Sequence, residues 1–337
     1  MSKKMPEILF IYSFHSSFVD NDLKILEKEY NVTRHLYRHS KKFLKFTGQH
    51  IALAIFLLRH ITAKAVFIWF ADYHSFLPVM WAFLLRKKSF IVLGGYDVAS
   101  IPEIGYGSFS SPLRAICTRF SLKHATENLA VSENIYRDAL QRVTEIKIRV
   151  LHTGHDDKYF VSNGKEKQPL VLTVAGGSTM QRIKLKGIDF FIETASKLPQ
   201  YKFVVIGLKP ELVRDLVEIP ENVYLAGRVS DEELLAYYRE AKVYAQFSLR
   251  EGLPSALCEA MLCECIPVGS NNGGIPFVID RHGFILEKPD VEKAAQLIIK
   301  AMQKDRIAGQ KARKFIVDNF AFSKRETQLL ELLKNNI

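Results

Sequence analysis

The sequence predicts an α/β protein made of two doubly wound parallel sheets, and three observations carry that prediction. The chain has 337 residues, 48% of them hydrophobic, which is material for two packed cores. Short apolar runs alternate with stretches of helical period in both halves, the pattern of parallel βαβ units. A polar, turn-forming stretch, Ser162-Asn163-Gly164-Lys165-Glu166-Lys167-Gln168-Pro169, separates the halves. Domains over 1–164 and 165–321 follow. In open sheets of this kind ligands sit beyond the carboxyl ends of the strands, so the cleft between the domains is the expected site.

Each element can be justified in turn. In the first half the strands are read at Ile8–Ile11, Val66–Trp69, Phe90–Leu93 and Leu129–Val131. The basic N-terminus, Met1-Ser2-Lys3-Lys4, is followed only by the apolar stretch Ile8 to Tyr12, too short for a signal-peptide core. Asp20-Asn21-Asp22 formally reads DxD, a metal motif, but it precedes the helical stretch Leu23–Glu29 and is read as a helix cap. Lys41–Arg59 mixes Lys with Phe43, Phe46, Phe56 and Leu57, which suits an interfacial helix or a core helix with one basic face. The most apolar window, Ala65 to Leu85, is broken by Asp72, His74 and Pro78, whereas a membrane span needs about 20 apolar residues. It is read as a strand, a turn and a helix over Phe76 to Leu85. In the second half the strands are Leu170–Val174, Phe203–Ile206, Val223–Leu225, Val243–Phe247 and Ile266–Val268. Helical period marks Gly187–Leu198, Asp231–Glu240 and Ser255–Met261.

Charge and cysteine content narrow the classes. Lys and Arg number 47 against 36 Asp and Glu, a formal +11. Up to Lys165 there are 23 basic and 14 acidic residues, hence +9; the remainder has 24 and 22, hence +2. The excess clusters at Arg34, Arg38, Lys41, Lys42 and Lys45 and at Arg86-Lys87-Lys88. Such a face attracts an anionic partner or is simply solvated. No nucleic-acid motif accompanies it, so no nucleic-acid partner is expected. Cys117, Cys258, Cys263 and Cys265 are too few for a secreted disulfide framework and lack zinc-ligand spacing. They are read as reduced, buried thiols of a cytoplasmic protein.

The densest chemistry lies at Arg250-Glu251-Gly252-Leu253-Pro254-Ser255-Ala256-Leu257-Cys258-Glu259, where a strand gives way to a helix. Pro254 suits the helix's first turn, leaving the amides of Ser255 and Ala256 as an anion site for phosphate. Glu259 lies about 7.5 Å further along at 1.5 Å per residue. Two carboxylates so placed suit the vicinal hydroxyls of a ribose or a hexose; a helix with a favourably placed acidic residue fits the spacing equally. Asn271-Asn272-Gly273-Gly274-Ile275-Pro276 is a second glycine turn that permits close backbone approach to a ligand. Ala175-Gly176-Gly177-Ser178 is a third, followed by Arg182, Lys184 and Lys186, cations that either neutralise a diphosphate or face solvent.

The stretch Leu225 to Met302 resembles the C-terminal domain of retaining GT-B glycosyltransferases of family 4. The resemblance rests on Gly227-Arg228-Val229-Ser230-Asp231-Glu232-Glu233-Leu234, on Glu251…Glu259 (the family's E-x7-E element) and on Gly273-Gly274-Ile275-Pro276. It extends to Gly283-Phe284-Ile285-Leu286 and to a final helix over 322–337 that should pack back toward the first domain. In the first half only Val131-Ser132-Glu133 and Gly154-His155-Asp156…Phe160 take part.

The resemblance implies two Rossmann-like domains facing a central cleft, with a nucleotide-sugar donor in the C-terminal one and a glycan or lipid-linked acceptor on the other. Glu251 would contact the transferred sugar and Glu259 the ribose. Lys186, Arg182 and the Ser255 and Ala256 amides would hold the diphosphate, with Gly177, Arg228, Gly252 and Leu253 lining the donor site. No metal or other cofactor is implied, and transfer would retain anomeric configuration. One departure matters: Gly94-Gly95-Tyr96-Asp97 lacks the histidine that many relatives place there, so Asp97 and His15 become the acceptor-side candidates. Phe277 also stands where many members carry Glu.

The function expected is therefore hexosyl transfer in envelope or polysaccharide biosynthesis, by a cytoplasmic protein held peripherally at the inner face of the cell membrane. An anionic membrane surface is a second expected partner, because the basic excess lies in the acceptor half. A non-catalytic nucleotide-sugar-binding partner of another transferase and a GT-B-type sugar-nucleotide epimerase are the alternatives.

Overall fold

A computed structural model describes residues 5–40, 42–177 and 179–337. Met1–Lys4, Lys41 and Ser178, which belong to the sequence motifs above, lie outside the described residues. The chain divides into two compact units: Met1–Gly154 with Phe322–Ile337, and His155–Ala321.

The first unit holds one parallel sheet of six strands: β1 (Glu7–Tyr12), β2 (Asn31–Leu36), β3 (Ala65–Trp69), β4 (Lys88–Leu93), β5 (Glu127–Ala130) and β6 (Ile148–Val150), in the order β2-β1-β3-β4-β5-β6. Both faces of the inner strands are covered, so they are continuous apolar runs; every residue of β3 is buried. The edge strands β2 (NVTRHL) and β6 (IRV) are half wet, and the apolar-run criterion passes over both. The apolar window resolves into β3 and a helix over Tyr73–Leu84. That helix starts before Phe76 because Asp72 caps it, accepting from the Tyr73 amide at 2.7 Å, with Ser75 closing a capping box. Among the described residues no helix is long and apolar enough to cross a membrane.

The helix Ser17–Leu26 is capped by Ser16, not by the Asp20-Asn21-Asp22 stretch. Asp20 lies in its first turn. Asp22 is buried and accepts two bonds from Arg325, at 2.9 Å from Nε and 2.6 Å from Nη2, while Nη1 of Arg325 donates to the Leu151 carbonyl at 2.7 Å. This bidentate pair fastens the C-terminal helix Phe322–Lys334 to the first unit.

The second unit has its own six-stranded parallel sheet: β7 (Gln168–Val174), β8 (Lys202–Ile206), β9 (Val223–Gly227), β10 (Ala241–Gln246), β11 (Ile266–Ser270) and β12 (Phe284–Leu286), in the order β12-β11-β10-β7-β8-β9. Its core packs Phe191, Ile192, Phe203, Val243, Val268 and Ile298 between sheet and helices. The unit begins at His155, earlier than the Ser162–Pro169 stretch suggests. Arg313 explains this by donating to the carbonyls of Asp157 and Phe160 at 2.8 and 2.7 Å, and the His155 amide donates to the Phe320 carbonyl at 2.9 Å. Gln168 and Pro169 already belong to β7. All four cysteines are free thiols; three are buried, but Cys117 is half-buried.

Candidate functional site

Three neighbouring strands of the second unit, β11, β10 and β7, end side by side, so the loops that follow them meet. The loop after β10 carries Glu251. Its Oε1 accepts from Lys186 Nζ at 2.6 Å, from Gln246 Nε2 at 2.7 Å and from Ser248 Oγ at 2.7 Å. Burial alone would raise the Glu251 pKa. The Lys186 ammonium, helped by the Ser248 hydroxyl and the Arg182 charge, outweighs burial and holds the carboxyl below its ordinary value. The site therefore keeps an ionised carboxylate at neutral pH.

The glycine turns are what shape this loop. Gly273 has φ +58°, and a Cβ there would lie 2.2 Å from the Glu251 carbonyl oxygen. That same carbonyl accepts from the Gly274 amide at 3.0 Å. Asn272 Nδ2 and Ser270 Oγ both donate to the Ser248 carbonyl, at 3.1 and 2.8 Å. On the other side a Cβ on Gly187 would lie 2.2 Å from the Phe247 carbonyl oxygen. The close approach that these glycines permit is thus made to the loop itself, which they brace.

Glu259 sits within the helix Ser255–Leu262, nearly buried, and its Oε2 accepts from the Tyr238 hydroxyl at 3.0 Å. Burial pushes its carboxyl up to about 7, against the Tyr238 hydrogen bond that favours the anion. Pro254 occupies the cap position, one residue before the helix rather than within its first turn. Ser255 and Ala256 are the first two helical residues, half-buried, and no side chain caps the helix. Gly252 and Leu253, in the loop itself, are buried.

After β7, Gly177 at φ +139° makes room for Arg182, whose Cγ would lie 2.8 Å from a Cβ there. Arg182 Nε folds back on the Gly176 carbonyl at 3.1 Å. The structure therefore brings Lys186, Arg182 and Glu251 into one electrostatic group. Arg228 is not in it: it follows the edge strand β9 and is exposed.

In the first unit His15 is exposed, with Nδ1 3.3 Å from Asp20 Oδ1 and its ring edge-on to Tyr12. Asp97 is wholly buried, and its carboxylate accepts from the amides of Gly94 and Gly95 at 3.0 and 2.8 Å. It holds its own turn, and burial raises its pKa to about 6. Sequence reasoning missed Gln246, Ser248 and Tyr238. The available signal was a polar pair, Gln246 and Ser248, at the end of an otherwise apolar strand. It also missed Asp72 and Arg114, whose carboxylate and guanidinium meet at 2.9 Å just past the carboxyl end of β3, with Arg114 lying over the rings of Tyr73 and Tyr96.

No group of three or more His, Cys, Asp or Glu among the described residues is arranged to hold a metal ion.

The second unit resembles known proteins. Residues 156–319 match the family model "Glycosyl transferases group 1". A phosphatidylinositol N-acetylglucosaminyltransferase component from Arabidopsis thaliana is 22% identical over 69% of this chain and 59% of its own length. The putative teichuronic acid biosynthesis glycosyltransferase TuaC of Bacillus subtilis (strain 168) is 22% identical over 82% of the chain and 71% of its own. The alignment with the plant protein thus spans less than two thirds of that relative. Among solved structures, sucrose-phosphate synthase of Thermosynechococcus elongatus superposes with a TM-score of 0.79 at 16% identity, covering 98% of each chain. HepE of Anabaena, solved in complex with UDP and glucose, superposes at 0.79 with 14% identity over 98% of this chain and all of its own. The two parallel six-stranded sheets are those of the GT-B fold, and the similarity to glycosyl transferases group 1 lies in residues 156–319, within the second unit.

Proposed function

We propose that the chain is a retaining, metal-independent hexosyltransferase that moves a sugar from a nucleoside-diphosphate donor to a glycan or lipid-linked acceptor in polysaccharide or envelope assembly. The observation that carries this reading is the largely buried Lys186–Glu251 pair, held by Gln246 and Ser248 in a loop braced by Gly273 and Gly187. A rigid, ionised carboxylate accepts hydrogen bonds from vicinal sugar hydroxyls. The adjacent ammonium and the Arg182 guanidinium would offset the charge that develops on a departing diphosphate, to which the Ser255 and Ala256 amides at the helix start would also donate. Glu259, its pKa raised to about 7, can both donate to and accept from ribose hydroxyls. These groups supply the electrostatic stabilisation without a divalent cation, so EDTA should leave turnover unchanged. The second unit would hold the donor and the first would present the acceptor. The UDP bound by the HepE neighbour makes a UDP-sugar the first donor to try. A lipid-linked acceptor would place the protein peripherally at the inner face of the cell membrane.

A second reading, a non-catalytic nucleotide-sugar binder, is favoured by one observation: Asp97, where the Gly94-Gly95-Tyr96-Asp97 segment has no histidine, is buried inside its turn. Screening UDP-, GDP- and ADP-sugars for thermal stabilisation, followed by assay of nucleoside diphosphate release, separates the two. Stabilisation with release supports the transferase. Stabilisation without release under any acceptor supports the binder.

A further inference from the structure

We propose that the helices Phe43–Arg59, Tyr73–Leu84 and Pro112–His124 of the first unit form a docking face for an anionic lipid bilayer. The proposal rests on the transferase reading only in giving a lipid-linked acceptor a place to be met; the face itself is argued from its own chemistry.

The first of these helices is apolar on two opposite sides. Leu53 and Leu57 point inward and are buried. Leu44, Ile51, Ile55 and Leu58 recur at spacings of seven, four and three, so they line one stripe, and all four are exposed, Leu44 at 84%. Gly48 lies on the same stripe, and a Cβ there would meet nothing within 4 Å. A globular helix buries its apolar stripe and leaves a polar one outside; this helix buries one apolar stripe and exposes a second. The neighbouring helices add to the surface. Tyr73–Leu84 packs on the first and on Pro112–His124. At its end Phe83, Leu84 and Leu85 are exposed, and on Pro112–His124 so are Leu113 and Ile116. Lys87, donating to the Ile61 and Ala63 carbonyls, fastens Phe83–Leu85 beside the exposed Ile61. Exposed apolar residues thus recur on three helices that pack side by side, where single scattered ones would need no explanation.

Charge identifies the occupant. None of the three helices contains a single Asp or Glu, and the chain from Tyr30 to Ala71 has none either. The exposed charges beside the apolar residues are Lys42, Lys45, Arg59, Arg86, Arg119 and Lys123. A second copy of this chain would bring a like-charged rim against this one, which disfavours self-association. An apolar strip flanked by cations, on helices that contain no Asp or Glu, matches the acyl boundary and anionic headgroups of a bilayer.

The test is co-sedimentation of the full chain with vesicles of phosphatidylcholine plus phosphatidylglycerol and with vesicles of phosphatidylcholine alone. The expected result is binding to the anionic vesicles and little to the neutral ones. Leu44→Gln/Ile51→Gln/Leu58→Gln should weaken that binding by about tenfold or more, and Lys42→Ala/Lys45→Ala by about fivefold per charge. Both variants should keep the wild-type melting temperature and the same release of nucleoside diphosphate from a UDP-sugar, because they lie outside the Lys186–Glu251 site. Equal binding of wild type and the Gln variant, or no binding by the wild type, overturns the proposal. So does a concentration-dependent dimer of the wild type that the Gln variant abolishes. Vesicle binding without any donor turnover would sink the transferase reading and leave this one standing; turnover without vesicle binding would do the reverse.

Discussion

Removing Lys186 should expose how Glu251 is kept ionised. In Lys186→Met the carboxylate stays nearly buried, its side chain 13% exposed, with Gln246 and Ser248 still donating to it. Breaking one partner out of a buried ion pair costs about 3–5 kcal/mol, and two surviving neutral hydrogen bonds favour the lower figure. At neutral pH the second unit should therefore lose about 3 kcal/mol, or roughly 6–12 °C in melting temperature. The sign of the pH dependence follows from the same cause. In the wild type the Glu251 pKa is lowered, so its stabilisation is present above the unfolded-state value and lost as pH falls through the folded one. Without Lys186, burial dominates and the folded pKa rises above the unfolded one, so the variant loses stability as pH increases. The gap between the two proteins should widen from pH 4 to pH 7, on the order of the full cost at the upper end. Replacing both partners, Lys186→Met/Glu251→Gln, removes the stranded charge and should recover stability relative to Lys186→Met. Thermal melts of the three proteins across that pH range provide the assay. A gap that does not change with pH, or a double variant less stable than Lys186→Met, would refute the reasoning.

Other outcomes follow from single contacts. Gly273→Ala forces a Cβ against the Glu251 carbonyl at a left-handed φ, with about 1–3 kcal/mol of strain, and should lower donor turnover by about tenfold or more as the loop shifts; steady-state kinetics will show it. Arg325→Met strands the buried Asp22 carboxylate and should cost about 3–5 kcal/mol in the first unit, read by urea denaturation. Glu259 has a folded pKa of about 7, raised by burial, so the stability it contributes is full below its unfolded value near 4.3 and is lost as pH rises through about 7. Glu259→Gln should flatten that part of the stability–pH curve, and melts between those limits will check it.

Much of the fold was legible because the inner strands are buried on both faces and so appear as plain apolar runs. β2 and β6 escaped because an edge strand is half solvated: NVTRHL carries no alternation or apolar run to find. The helix start at Tyr73 was hidden for a different reason, since Asp72 looked like an interruption of an apolar window and is instead its cap. At the candidate site, the Glu251-to-Glu259 spacing singled out a loop and the helix that follows it, and the structure places both there. What it could not show is which atoms hold Glu251. Lys186 is 65 residues away in sequence and meets it only because β7 and β10 are paired. At Asp97 the sequence was silent in another way: a carboxylate after a glycine turn at a strand end suggests ligand binding, and only the structure shows it accepting from the amides of that same turn. Asp22 needed Arg325, more than 300 residues distant, before its place could be understood.

The most direct measurement is donor turnover by the wild type and by Glu251→Gln, with melting temperatures recorded for both. The variant keeps the hydrogen-bonding shape and removes the charge. If the ionised Glu251 carboxylate holds the transferred sugar, nucleoside diphosphate release and sugar transfer should fall by about 10²-fold or more while the fold survives. A well-folded Glu251→Gln protein that transfers sugar at the wild-type rate would contradict that assignment.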